Sequence, residues 1–152
     1  LTQLASPNPR LWKKNWVDFM YHFARAHFKK GNYNRCNDLL VDWLMTDLFF
    51  ANDTMLSRGT VLYIMVNYQL GNKKLLVSNM RNLHRKIKHK NKNSIYLDTC
   101  VKLFHLLLTK SIEYKTLKRH KYFKALLALE ANNFNHQVEM SVVDYLETVF
   151  SS

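Results

Sequence analysis

The seven histidines of this 152-residue chain, His22, His27, His84, His89, His105, His120 and His136, are the side chains best suited to grip a metal or relay a proton. A helical metal site asks for two ligands at i and i+4 on one face, and no two of these histidines stand at that spacing. Nor does a His-Glu-x-x-His run occur. His27 and His105 lie inside apolar stretches, where a packed or hydrogen-bonded imidazole is the expected role. Asp38 and Asp42 form the single carboxylate pair that shares a helix face at i, i+4. Beside Lys and Arg they read as a solvated helix edge in preference to a general acid and base.

Cys36 and Cys100 each sit within an apolar-periodic segment, and two reduced core thiols are expected rather than a disulfide. Gly31, Gly59 and Gly71 are too few and too scattered to cradle a phosphate. No Gly-x-Ser-x-Gly turn prepares a nucleophile. The expectation is therefore a non-catalytic protein with no metal and no cofactor.

The elements that carry these residues are helical by periodicity. With 3 Gly and 2 Pro the chain has few breakers of the kind that sheets need at their turns. Asn8 and Pro9 suit a cap and first turn. Trp12, Trp16, Phe19, Met20, Phe23, Ala24, His27 and Phe28 then recur at three- and four-residue steps until Gly31. A second pattern, Tyr33, Cys36, Leu39, Leu40, Trp43 and Leu44, follows so closely that the two helices must lie antiparallel. A third helix, capped by Asp53, runs to Gly71. A fourth spans 72–90, a fifth 94–109, a sixth 116–131 and a last one, capped by Asn135, reaches Phe150. The spacing predicts an all-α fold of about seven helices, and its aromatics, including Trp12, Trp16 and Trp43, are expected in the core.

No apolar run approaches the roughly 20 residues that span a bilayer, so membrane insertion is not expected. Without a charged-then-apolar leader the expected compartment is the cytoplasm, and the opening on Leu1 rather than Met fits a piece of a longer protein.

Of the formal net charge of +12, the excess lies within residues 73–124, which carry 15 Lys or Arg against Asp98 and Glu113. In the fourth helix Lys74, Arg81, Arg85, Lys88 and Lys92 fall roughly opposite the apolar Leu76, Met80, Leu83 and Ile87. Lys118, Lys121 and Lys124 give a second cluster in the sixth. Such faces keep a protein soluble, attract acidic partners, or neutralise nucleic-acid phosphates.

Laying Gly31 over Gly71 gives an offset of 40 residues that lands next on Ser111, another expected turn. In that frame Phe28, Tyr68 and Leu108 coincide, as do Trp43, Leu83 and Phe123. The approximate units are 10–46, 53–90 and 94–131, with a capping helix at 135–150, all within one domain over 1–152.

The segment ARAHFKKGNYNRCNDLL, residues 24–40, resembles the core of a tetratricopeptide repeat (TPR), with Ala24 and Cys36 at its small positions and Gly31 and Tyr33 at its turn. The second unit departs from the pattern at Ile64, Lys73 and Leu76. Phe28, Lys30, Gly31, Tyr33, Leu39, Leu40, Asp47, Phe49, Arg58 and the stretch 68–71 are together similar to a group of uncharacterised bacterial TPR-like proteins. The resemblance implies antiparallel hairpins stacked as a short α-solenoid, a scaffold rather than an enzyme.

It also implies a concave groove lined by the first helix of each pair. Its candidates are Asp18, Tyr21, Arg25, Phe28 and Lys29 in the first unit. In the second they are Arg58, Val61, Met65, Tyr68 and Gln69. The leading functional expectation is a protein or peptide partner held there; the alternative is nucleic acid on the basic surface.

Overall fold

The computed structural model describes residues 9–45, 53–90, 95–133 and 141–151. They form eight helices and, among the described residues, no strand: α1 (Pro9–Lys29), α2 (Tyr33–Met45), α3 (Asp53–Gln69), α4 (Lys73–Lys90), α5 (Ile95–Thr109), α6 (Tyr114–Arg119), α7 (Lys121–Asn133) and α8 (Val142–Ser151).

The two glycine turns are the same structure built twice. Gly31 and Gly71 have φ of 78° and 75°, the left-handed region that a Cβ disfavours. At the first turn Gly31 N–H donates to the Phe28 carbonyl at 3.0 Å and Asn32 N–H to His27 at 2.9 Å. Forty residues on, Gly71 donates to Tyr68 at 3.1 Å and Asn72 to Asn67 at 3.0 Å. This paired pattern satisfies the last carbonyls of α1 and α3 and reverses the chain within three residues. Asn32 and Asn72 then accept the first helical bonds of α2 and α4, from Cys36 and Leu76.

The hairpins α1–α2 and α3–α4 pack on one another through α2 and α3 and through α1 and α3, and α5 continues the row against α3 and α4. Between α2 and α3 the pairing is antiparallel. Asn67 Nδ2 donates to Asn37 Oδ1 at 2.8 Å near one end, and Gly59 meets Trp43 near the other. A Cβ on Gly59 would stand 2.4 Å from the indole ring, so glycine here is a hole that the tryptophan fills. Buried residues from Val17 in α1 to Leu146 in α8 make one cluster.

The third unit departs from the expected one. The single sixth helix is two, α6 and α7, because His120 takes extended angles, φ −71° and ψ 141°. Its N–H closes α6 on the Leu117 carbonyl at 2.9 Å, its carbonyl accepts from Lys124 to open α7, and its ring Nδ1 accepts the Tyr122 N–H at 3.2 Å. One histidine thus ends a helix and caps the next. Asn135, the expected cap of the last helix, lies outside the described residues, as does Asn8.

Candidate interaction surfaces

Four of the residues expected to line a groove along the first helices, Tyr21, Phe28, Val61 and Met65, are core residues. The packing of α1 on α3 places these first helices against each other, and α8 crosses the end where they turn. Tyr145 of α8 lies 5.7 Å from the Phe28 ring, and its hydroxyl sits 3.2 Å from the Met65 carbonyl and 3.0 Å from Gln69 Oε1. Burial, with Tyr68 and Tyr33 nearby, pushes that hydroxyl well above the ordinary phenol range. Asp18, Arg25, Arg58 and Tyr68 are half-buried, and Lys29 and Gln69 remain exposed.

A buried carboxylate anchors α8 in this position. Glu130 of α7 accepts from the Tyr96 hydroxyl at 2.9 Å, the Ser141 hydroxyl at 2.6 Å and the Val142 N–H at 2.8 Å, with the Val143 N–H at 3.4 Å. It supplies from another helix the negative group that the free N–H groups and dipole of a helix start favour. Sequence reasoning placed the last helix as a cap on the end of the stack. It had no signal for this return, because the contact joins residues 80 apart in the chain.

The basic residues are placed outward. Lys74, Arg81 and Arg85 of α4 are exposed, and Arg85 donates to Asn82 Oδ1 at 3.1 Å. Lys88 lies in α4, and Lys92 falls outside the described residues. Lys118, Lys121 and Lys124 are exposed on α6 and α7, with Lys118 Nζ 4.5 Å above the Tyr114 ring and Lys121 Nζ 5.2 Å above Tyr122. The packing joins the two clusters through α5, which lies against both α4 and α7. His84 of α4 and Asp98 of α5 pair within this region, so one of its two carboxylates already has a partner.

Sequence reasoning missed an exposed aromatic surface on α1. Trp16, Phe19 and Phe23 of α1, expected in the core, are 38%, 56% and 40% exposed, whereas Trp43 is fully buried. They form a ladder: ring centroids lie 6.2 Å apart from Trp16 to Phe19, 5.6 Å from Phe19 to Phe23 and 4.8 Å from Phe23 to His27. The 40-residue offset held the signal. Phe19, Phe23 and His27 match Gly59, Tyr63 and Asn67 in α3 and Thr99, Leu103 and Leu107 in α5, and all six of those are buried.

Neither thiol is prepared for chemistry. Burial raises the Cys36 pKa to about 12 despite a hydrogen bond from the Phe28 backbone, and Cys100 is raised by burial and by Glu130. Among the described residues no group of three His, Cys, Asp or Glu is placed to hold a metal ion, and no helix is long and apolar enough to cross a membrane. No protein family, curated protein or solved structure matches the chain.

Proposed function

We propose that the chain is a TPR-like α-solenoid that acts as a non-catalytic protein-interaction scaffold, with the aromatic face of α1 as its binding surface. The observation that carries this reading is the exposure of Phe19 and Phe23 at positions whose repeat equivalents are core. Aromatic side chains bury large areas and are enriched at the cores of protein interfaces. A patch whose equivalents on α3 and α5 are buried has the apolar character of an interface. The matched glycine turns support the solenoid part of the reading. Two reduced cysteines fit a cytoplasmic setting.

Selection from displayed libraries of helical and of extended peptides tests the proposal. Enriched binders that lose affinity when Phe19→Ser is introduced support it. Failure of both libraries to yield a binder sensitive to that change overturns it. The alternative, nucleic acid on Lys74, Arg81, Arg85, Lys118, Lys121 and Lys124, is favoured by the concentration of exposed charge on α4, α6 and α7. It requires retention on a random oligonucleotide beyond about 0.3 M salt, lost in the Arg81→Glu, Arg85→Glu double variant.

A further inference from the structure

We infer that the aromatic face of α1 receives an antiparallel amphipathic helix of a partner protein, acidic in its first turn and carrying a small residue opposite Phe19. The inference rests on the scaffold reading and specifies the partner.

Equivalent faces in the next two units set the pattern. In the second unit the face made by Gly59, Tyr63 and Asn67 is buried, and α2 of the preceding hairpin lies along it in the opposite direction, fixed by Asn37 on Asn67 and Trp43 on Gly59. In the third unit Thr99, Leu103 and Leu107 are buried on α5, and α4 is the preceding second helix that packs against it. The first unit has the same face in the same register. There Phe19 and Phe23 meet solvent. The surface on α1 therefore repeats a face that the preceding second helix covers on α3, and whose equivalent on α5 is buried among neighbouring helices.

The side chains set the chemistry of the missing helix. At the central position the second unit has a hole, Gly59, filled by a ring from the covering helix. The first unit has the opposite shape, a projecting Phe19, so the covering helix must offer a small residue there with aliphatic neighbours one turn away on either side. An antiparallel helix brings its N-terminus to the C-terminal end of α1, where His27 is half-exposed and Lys29 and Lys30 are exposed. Carboxylates in the first turn suit that end twice over, since they meet the lysines and complement the partner's own dipole. The face from residue 16 to residue 27 is about 17 Å long, matched by roughly three helical turns. One helix covers less area than a standard stable interface, which places the complex among weak, reversible ones.

The test uses the intact chain and a fluorescent, lactam-stapled helix of about 18 residues, with Glu in its first turn, a leucine stripe and Ala at the centre of that stripe. Saturable binding is expected, with a dissociation constant on the order of 10 µM. It should weaken at least tenfold in Phe19→Ser and in Phe23→Ser, weaken with salt and in the Lys29→Glu, Lys30→Glu double variant, and be unchanged in Ile95→Ser, an exposed apolar control on α5. Circular dichroism establishes that each variant keeps its helices. Absence of saturation, or binding indifferent to Phe19→Ser, overturns the inference. Sedimentation showing self-association that Phe19→Ser abolishes also overturns it, because a second copy would then own the face. Library binders that are sensitive to Phe19→Ser but extended overturn the helical partner while leaving the scaffold reading intact.

Discussion

The hydroxyl of Tyr145 in the last helix stands 3.2 Å from the main-chain carbonyl of Met65, 80 residues earlier. That contact holds α8 against the end of α1 and α3 where the two first helices turn. Replacing Tyr145 with Phe keeps the ring on Phe28 and removes the bonds to Met65 and Gln69. A loss of about 1 kcal/mol in urea unfolding is expected, and Tyr145→Ala should cost about 2 to 4 kcal/mol by adding lost packing. A Tyr145→Ala variant as stable as the parent would mean that α8 does not hold this position in solution.

The three glycines separate two physical demands. Gly31→Ala and Gly71→Ala each force a Cβ into the left-handed region, at about 1 to 2 kcal/mol, with open space around the methyl. Because the two turns share one hydrogen-bond pattern, the two losses should be similar. Gly59→Ala has ordinary helical angles and fails for a different reason, a clash with Trp43, at about 1 to 3 kcal/mol. A Trp43→Leu change should rescue part of the Gly59→Ala loss and none of the other two. Thermal unfolding of the single and double variants measures all of these.

How far the sequence could be read follows from this contrast. Periodicity and Gly31, Gly71 and Pro9 delimit α1 to α4 because those signals are local, acting within a helix or a turn. His120 ends α6 through its own backbone angles and a ring nitrogen, and nothing in the run Arg119, His120, Lys121 marks a break in advance. Phe23 and Leu103 belong to the same apolar period and are indistinguishable within their helices. Whether a neighbour covers them depends on position in the row. The closure by α8 is a tertiary event between Tyr145 and Phe28, and neither residue type announces it.

Alkaline pH should destabilise the fold. The Cys36 thiol titrates near its ordinary 9.0 in the unfolded chain and only at about 12 when buried. Between those values the unfolded state releases a proton that the folded state keeps, so stability is fully present below pH 9 and declines as pH rises toward 12. The slope is about 1.4 kcal/mol per pH unit for one thiol. Burial acts in the same direction on Cys100 and Tyr96. Urea unfolding at pH 8 to 10.5 should show a decline that is shallower in Cys36→Ala; an identical slope in that variant would contradict the assignment.

On the proposal made above, Phe19 and Phe23 form a face that a partner helix covers. Hydroxyl-radical footprinting of the intact chain, with and without the stapled acidic helix, reads it residue by residue. Phe19 and Phe23 should oxidise readily in the free protein and be protected on binding, while buried Tyr63 and Leu103 stay unreactive throughout. Protection confined to α4 or α8, or none at α1, would contradict the account.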